Sequence, residues 1–495
     1  MNSLVDLAYT PRSEWKEEVA RLAFSESVRA RYVRVRDLTE KKNDEGRFQL
    51  RVNAVNDKPT AALYAGLIAP DQALSGPYGG MSFVMFPADD ESGRPALLAM
   101  VVGTNGLAPD ESILGRPGHA RKCAAIASWL NTRCAGSAWA KRDPVRIDLD
   151  LPAAVQQSLR PWNNAITKYG KVIYATFAPP PGRSPEHAKL LEDALTAYLD
   201  LFFDERRIDL KSDWRRSAET IQSQWMARLM PSATDETVAK LLDARRFVVL
   251  EGPPGTGKTE MALRLLGTRY GGNGRVIQFH PGTTYETFVG GLAPADGGTL
   301  GFTFRPTPGH LLSAAREADA DPNRKYLLVI DEINRADLSK VLGEAIYLFE
   351  PGKKRSVRLP YRFEGFERDF SLPENLHVLG TMNTADRSIA ILDIAVRRRF
   401  SFVSMWPQLS VVEEHSGETL QQSFRELLTI FIENASDDAL PLVPGHAYFL
   451  GDDSEAQIRL KTAVRPLLEE YLAQGYVGGF ADEIRAYLDR IEQTA

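Results

Sequence analysis

The segment that most constrains the fold is 247–266, FVVLEGPPGTGKTEMALRLL, where an apolar run enters a glycine-rich loop and leaves as an amphipathic stretch. This order predicts a buried strand, a phosphate-binding loop and a helix whose positive dipole end faces an anion. Lys258 is predicted to bridge the β- and γ-phosphates of a nucleoside triphosphate, and Thr259 to bind Mg²⁺. The predicted nucleotide-binding residues of this segment are Gly252, Pro253, Gly255, Thr256, Gly257, Lys258, Thr259 and Glu260.

Two further strand-like runs end in polar residues of the kind that such a site needs. YLLVIDE, 326–332, ends in Asp331, predicted to hold the metal's water shell, and Glu332, predicted to polarise the attacking water. LHVLGTMN, 376–383, ends in Asn383, which is predicted to hydrogen-bond the water or the γ-phosphate. The arginines at 397–399 could reach the γ-phosphate of a neighbouring subunit, or could be a solvated or acid-paired face.

Composition bounds the remaining function classes. The 495 residues carry a formal net charge of only −5, so any contact with nucleic acid has to come from a local patch. No apolar run approaches the length of a membrane span, and the two cysteines, Cys123 and Cys134, support neither a zinc site nor a disulfide framework. We therefore expect a cytoplasmic protein that does not contact a membrane.

The spacing of apolar residues predicts four parts of the chain. They are an α+β domain at 1–206, a linker helix at 207–233, an α/β core with a parallel sheet at 234–405 and a helical lid at 406–495. In the first domain, alternation predicts a strand at 47–55, and the apolar runs 81–86 and 96–102 predict a strand pair. A loop is expected at 115–122, GRPGHARK, followed by a helix. The fold class is α/β: a phosphate-loop NTPase core behind an α+β domain.

The motifs GPPGTGKT, FHPGTTYETFVGGLAP, VIDEINRADLSKVLGEAIYLFE and GTMNTADRSIAILDIAVRRRFSF resemble those of the McrB family of AAA+ proteins, over about 235–475. The resemblance implies an extra hairpin within GGLAPADGGTLGFTFRP and catalytic roles for Asn383 and Asp386. It also implies that Arg397, Arg398 and Arg399 act between subunits, and that His446 of PGHAYF, a lid motif, lies near the nucleotide.

The same resemblance implies a homo-oligomer, a hexameric ring, that hydrolyses GTP and stimulates a separate McrC-type nuclease subunit. The chain has no N-K-x-D motif for reading guanine, so the choice between GTP and ATP stays open. We see no nuclease constellation at 1–206, and any cleavage is expected to come from the partner subunit.

The stretches GPYGGMSFVMFPAD, ALLAMVVGTNG and KYGKVIYATF resemble an MrcB-type N-terminal domain, which implies recognition of a target, often modified DNA. Basic residues near aromatic ones suit phosphate contact and base stacking. The candidates are Arg34 and Arg36 of RARYVRVR, together with Arg116, Arg121 and Lys122. Alternating arginines can equally form the solvent-exposed face of a strand.

Three hypotheses remain at this stage. The chain could be a GTP-driven ring that recognises invading nucleic acid and drives translocation or activates a nuclease. It could instead be an ATP-driven protein-remodelling machine of the MoxR kind, or a sensor whose nucleotide state switches assembly while hydrolysis acts as a timer. Tight binding of the front domain to modified DNA would favour the first, and binding only to protein would favour the second.

Overall fold

The computed structural model describes residues 3–38, 48–54, 60–73, 75–89, 93–296, 302–350, 352, 355–385 and 394–493. The chain divides into two compact units. The first comprises Met1–Leu229 with Ile432–Asn434, and the second comprises Met230–Phe431 with Ala435–Ala495.

An antiparallel sheet of six strands forms the centre of the first unit, in the order β1-β2-β3-β4-β6-β5. The strands are β1 Gln49–Asn53, β2 Tyr64–Ile68, β3 Met81–Phe86, β4 Leu97–Val102, β5 Ala138–Ala140 and β6 Ile173–Phe177. The helices are α1 Leu4–Ala8, α2 Glu17–Arg31, α3 Glu111–Leu114, α4 Pro117–Arg133, α5 Ala153–Ser158, α6 Asn163–Tyr169, α7 Pro185–Asp204 and α8 Ser212–Met226.

Strand β4 is apolar on both faces because both are covered. Alternate residues of β4 join different clusters: Met100 packs with the long helices, and Val101 packs with the aromatic residues on the opposite face. The predicted strand pair is confirmed, since β3 and β4 pair antiparallel from Met81 with Val102 to Phe86 with Leu97.

Two segments of this unit differ from the sequence-based expectation. The loop expected up to Lys122 ends earlier, because α4 begins at Pro117, a residue whose fixed φ suits the first helical position. The helix expected to serve as a linker, α8, packs on the unit's core through Ile221 and Trp225, and the division between the units falls after Leu229.

A parallel sheet of five strands forms the centre of the second unit, in the order β15-β7-β14-β11-β8. Its strands are β7 Phe247–Gly252, β8 Gly274–Gln278, β11 Tyr326–Asp331, β14 Leu376–Asn383 and β15 Ser401–Ser404. Alternate residues of β7 enter separate apolar clusters on the two faces, as in a sheet covered by helices on both sides. The α/β fold class predicted from the sequence is confirmed.

Smaller elements complete this unit. The expected hairpin is present as β9 Gly290–Asp296 and β10 Phe302–Pro308, and a second short pair is β12 Val357–Arg358 with β13 Asp369–Phe370. The helices up to the last sheet strand are α9 Asp235–Arg245, α10 Lys258–Thr268, α11 Tyr285–Phe288, α12 His310–Asp319, α13 Leu338–Leu342 and α14 Ile394–Arg397. The C-terminal helices are α15 Leu409–His415, α16 Glu418–Asn434, α17 Asp453–Arg459, α18 Arg465–Ala473 and α19 Ala481–Gln493.

Candidate nucleotide site

The phosphate-binding loop lies between the end of β7 at Gly252 and the start of α10 at Lys258. Gly255 and Gly257 have φ of +77° and +78°, a region that glycine enters without steric cost. A larger residue at position 255 would also clash, since a Cβ there would lie 2.9 Å from the ring of Tyr448. The loop therefore turns its backbone around the N-terminal end of α10, where the helix dipole favours an anion.

Lys258 lies inside this loop and is buried. Its Nζ donates hydrogen bonds to the carbonyl oxygens of Gly252, at 3.0 Å, and Pro253, at 2.6 Å. Burial lowers the pKa of Lys258 to about 8, against the opposing effect of Glu332 and Asp331. The loop thus holds an ammonium group whose charge a bound phosphate would stabilise.

The carboxyl ends of β7, β11 and β14 meet at one edge of the sheet, and the predicted acids lie there. The hydroxyl of Thr259 donates to Asp331 Oδ1 over 2.7 Å, which joins the start of α10 to the end of β11. A hydroxyl and a carboxylate side by side are the hard oxygen ligands that Mg²⁺ accepts, usually with water and phosphate in its other positions. These two residues therefore fit the magnesium expected from the sequence.

Glu332 is held in an uncommon backbone conformation, with φ of +53° and ψ of +48°. A residue with a side chain in this region costs of order 1–3 kcal/mol, and such residues cluster at functional sites. The side chain is 16% exposed, and Glu332 Oε1 accepts a hydrogen bond from the amide of Asn383. The Nε of Arg335 lies 3.6 Å from Oε2. The structure thus brings together two residues predicted separately, from different strands.

Thr381 is a residue of this site that sequence reasoning missed. Its buried hydroxyl donates to Asp331 Oδ1 at 2.6 Å and accepts from the backbone N–H of Glu332 at 3.1 Å. One hydroxyl therefore contacts the carboxylate of Asp331 and the backbone of Glu332. The signal in the sequence was its position two residues before Asn383, which puts both side chains on the same side of β14.

His446 lies against the phosphate-binding loop, as the lid motif implied. The neighbouring backbone docks on the loop, with Gly445 N–H donating to Pro254 O and Ala447 N–H to Gly255 O, both at 2.9 Å. The N–H of Gln408 donates to His446 Nδ1 at 3.3 Å. Burial lowers the pKa of His446 to about 4, and the positive charge of Lys258 acts in the same direction. The imidazole is therefore neutral, and because Nδ1 accepts, its proton is on Nε2, the nitrogen nearest Gly257.

Among the described residues, neither Arg397 nor Arg398 is hydrogen-bonded to this cluster. Asp386 lies outside the described residues. Arg397 and Arg398 are exposed at the end of α14, and Arg397 lies over the ring of Phe402 at 5.0 Å. Arg399 is buried, with its Nε 3.6 Å from Glu350 Oε2, so its guanidinium serves the fold. Glu260, one residue beyond Thr259, is exposed.

The basic candidates of the first unit have different environments. Arg34 is exposed in a turn with φ of +52°, and the segment 29–36 runs from the end of α2 into this turn instead of forming the alternating strand considered above. Arg36, Arg116 and Arg121 are half-buried.

Lys122 is buried on α4, with its Nζ 3.1 Å from Glu205 Oε1. A buried, ion-paired ammonium group cannot contact a phosphate, so Lys122 is removed from the nucleic-acid candidates. Its neighbour His119 is fully buried and hydrogen-bonded to the hydroxyl of Tyr174 at 3.0 Å.

Within the described ranges, no three His, Cys, Asp or Glu side chains group in a way that would hold a metal ion. No helix in the described part of the chain combines the length and apolarity that a bilayer crossing requires.

Residues 247–400 match the model of an AAA domain of the dynein-related subfamily. The chain is 37% identical to the type IV methyl-directed restriction enzyme EcoKMcrB subunit of Escherichia coli K12, over 49% of this chain and 57% of that protein. It is 26% identical to the type II restriction enzyme BsuMI component YdiS of Bacillus subtilis 168, over 36% of this chain and 66% of that protein. The chain thus covers less than two thirds of each relative.

Proposed function

We propose that this chain, an McrB-like AAA+ protein, is the Mg²⁺-dependent NTP-hydrolysing motor subunit of a restriction complex of the McrBC kind. The observation that carries the proposal is the arrangement at the sheet edge. Thr259 donates to Asp331, and Asn383 donates to Glu332. The hydroxyl of Thr381 joins these two pairs, beside the loop that holds Lys258.

Each of these residues has a role that its position supports. Lys258 and the backbone N–H groups of the loop bind and orient the phosphates. Thr259 and Asp331 hold Mg²⁺, which when bound neutralises charge on the β- and γ-phosphate oxygens. Glu332 accepts a proton from the attacking water, and Asn383 fixes the direction of its carboxylate. The neutral His446 offers its Nε2 proton to the nucleotide from the lid.

A second part of the proposal is that the active unit is an oligomeric ring, with six subunits as the expected number. Arg397 and Arg398 are exposed and bond to none of the acids described above. They are therefore suited to stabilise the transition-state charge at a neighbour's γ-phosphate. Asp386, from the same signature as Asn383, is proposed to support hydrolysis.

The third part concerns substrate and partners. We propose GTP as the preferred nucleotide, with ATP as the alternative, and a separate McrC-like subunit as the nuclease. The N-terminal unit is proposed to recognise modified DNA, with Arg34, Arg36, Arg116 and Arg121 as candidate phosphate contacts. The relatives' names, which place them in restriction enzymes, support this assignment.

Steady-state phosphate release tests the proposal directly. GTP and ATP turnover should be measured with the purified full-length protein, with and without modified and unmodified DNA, beside Glu332→Gln and a matched exposed-acid control, Glu364→Gln. We expect turnover by the wild type and by the control, whereas Glu332→Gln should bind the triphosphate without hydrolysing it. Absence of turnover by the wild type with either nucleotide, DNA and a candidate nuclease subunit present would refute the motor assignment.

A further inference from the structure

The turn that carries Arg397 and Arg398 depends on its neighbours for its position. It comprises residues 394–399 and is called the arginine turn below. Within the part of the chain that the structure describes, α14 spans only Ile394–Arg397. A single helical turn is unstable alone, because nucleating it costs more conformational entropy than its few hydrogen bonds return. The direction of Arg397 and Arg398 is therefore set by the residues that pack against the turn.

Arg399 is the polar anchor of the arginine turn. Its side chain is 3% exposed, and its guanidinium donates to the carbonyl oxygen of Ala395 at 2.6 Å. The Nε of Arg399 lies 3.6 Å from Glu350 Oε2, and its Cζ lies 5.4 Å from the ring centroid of Tyr347. The planar guanidinium can pair with a carboxylate and contact a ring at the same time. One side chain thus joins the arginine turn to the segment that ends at Glu350.

Stacked aromatic rings support the same junction. Phe400, the residue after the turn, stacks on Phe349 with ring centroids 5.4 Å apart and an angle of 27° between the rings. The ring of Phe349 also lies 4.9 Å from that of Phe247, at the start of β7. All three side chains are buried. Packing therefore fixes the arginine turn to the same segment as the contact between Arg399 and Glu350.

That segment is the 3₁₀ helix Gly343–Phe349, which is itself held at both ends. A 3₁₀ helix of seven residues is uncommon, because its hydrogen bonds are poorly aligned and most such helices stop at about four residues. Near its start, the hydroxyl of Tyr285 donates to Glu344 Oε1 at 2.7 Å. Near its end, Leu348 and Phe349 are buried. The helix is thus a fixed support for the arginine turn.

We propose that Arg399 and Glu350 are positioning residues that hold Arg397 and Arg398 toward the γ-phosphate of a neighbouring subunit. The pair acts through α14 and reaches no phosphate itself. The inference rests on the proposed action of these arginines between subunits. An ion pair of this kind could instead serve only the stability of its own subunit. The two roles differ in where the lost activity appears, since a positioned arginine serves the site of the next subunit.

Glu350→Ala is the first variant, because it removes the partner of Arg399 and leaves every arginine in place. Glu364→Ala, which removes an exposed acid of the same unit, is the matched control. An arginine at a transferring phosphate contributes about 10³- to 10⁵-fold to kcat, and a shift of about 1 Å can cost about 100-fold. We therefore expect kcat to fall about 10- to 100-fold in Glu350→Ala, whereas KM should change little.

The measurements use the full-length protein. Steady-state phosphate release with GTP and with ATP gives kcat and KM. Titration with a non-hydrolysable analogue of the nucleotide that is turned over faster gives the affinity, and thermal circular dichroism reports folding. Glu364→Ala should behave like the wild type in all of them. Wild-type kcat in folded Glu350→Ala, or a loss of analogue affinity as large as the loss of kcat, would overturn the proposal.

Arg399→Ala removes the other member of the pair. Two residues that act through one contact have non-additive effects, so the double variant should be about as slow as Arg399→Ala alone. Losses in kcat that multiply in the double variant would show that the two residues act separately, against the proposal. Should Arg399→Ala fail to fold, Glu350→Ala and the mixtures below decide the question without it.

Mixing two inactive proteins separates a role between subunits from a role within one. A Glu350→Ala subunit keeps its catalytic acid, and a Glu332→Gln subunit keeps a correctly placed arginine turn. In an equal mixture, about one quarter of the interfaces in a ring combine the two intact parts. We expect phosphate release to rise toward that fraction of the wild-type rate, as it should in a parallel mixture of Arg398→Ala with Glu332→Gln.

The two mixtures tell apart the failure of this inference and the failure of the proposed function. If the Arg398→Ala mixture recovers and the Glu350→Ala mixture does not, the positioning role is overturned and the action of the arginines between subunits stands. If neither mixture recovers, the action between subunits is refuted and the positioning role with it. Recovery of both mixtures supports the proposal, because damage confined to a subunit's own site cannot be repaired by its neighbour.

Discussion

Replacing Thr381 by valine tests whether one hydroxyl positions both acids of the NTPase site. Valine keeps nearly the shape of threonine and removes only the oxygen, so the packing of β14 is disturbed little. The lost hydroxyl donated to the carboxylate of Asp331 at 2.6 Å and accepted from the N–H of Glu332 at 3.1 Å. Both partners lie close to where the phosphates and the water are expected.

The expected magnitude follows from these two bonds. A hydrogen bond to a charged group contributes about 1.5–3 kcal/mol, and a buried N–H left without a partner costs about 1–3 kcal/mol. We therefore expect the free energy of unfolding to fall by about 2.5–6 kcal/mol in Thr381→Val, with the larger values if water cannot replace the hydroxyl. Part of that loss falls on Glu332, whose left-handed backbone is held by this contact.

The kinetic consequence should be specific. The contacts of Lys258 with the loop do not involve Thr381, so KM should change little. We expect kcat to fall about 10- to 100-fold, since a displaced acid raises the barrier by about 1.4–2.8 kcal/mol. The measurements are steady-state phosphate release, binding of a non-hydrolysable nucleotide and denaturant unfolding. Thr381→Ser keeps the hydroxyl and is the matched control.

Two results would refute this reasoning. A folded Thr381→Val protein with the kcat of the wild type would show that the hydroxyl does not position the acids. A serine variant as slow as the valine variant would show that the methyl group, through packing, is what matters.

Three further predictions concern other parts of the NTPase unit. Lys258→Ala should abolish triphosphate binding in a calorimetric titration, and wild-type affinity would contradict the placement of the phosphates. Arg398→Ala should bind nucleotide but hydrolyse it slowly. When it is mixed with Glu332→Gln, phosphate release should recover, because some mixed interfaces pair an intact acid with an intact arginine. A mixture as inactive as its two components would argue against a role between subunits. His377 and His446 each have a pKa of about 4 in the folded protein, mainly because burial disfavours the charged form. The unfolded chain, with a histidine pKa of about 6.5, binds more protons than the folded chain below that pH. The free energy of unfolding should therefore be highest above about pH 6.5 and should be lower by about 1.4 kcal/mol per histidine at about pH 5.5. Thermal melts above about pH 6.5 and at about pH 5.5 check this. His377→Gln should lose less stability between these two conditions than the wild type.

The sequence by itself determined the parts of this protein that depend on neighbouring residues. The order of strand, glycine loop and helix around Lys258 is local, and so are the apolar strand before Asp331 and the one before Asn383. Their alternation with helices predicts a parallel sheet, and in such a sheet the carboxyl ends of the strands lie at one edge. That is why the core of the site was predictable. The roles of Arg397 and Asp386 and the identity of the base remain predictions.

Only the tertiary structure decided which side chains meet across elements. Strand register placed the hydroxyl of Thr381 between the carboxylate of Asp331, at the end of β11, and the backbone N–H of Glu332, the next residue. Chain folding brought Gly445 onto the phosphate-binding loop. Burial also removed Lys122 from the nucleic-acid candidates. The sequence suggested a surface cation, but Lys122 pairs with Glu205 inside the N-terminal unit. A pocket on the antiparallel sheet likewise gathers Tyr64 of β2 and Phe86 of β3 with Tyr169, more than eighty positions further along. Register and burial are set by contacts between distant parts of the chain, and no local pattern encodes them.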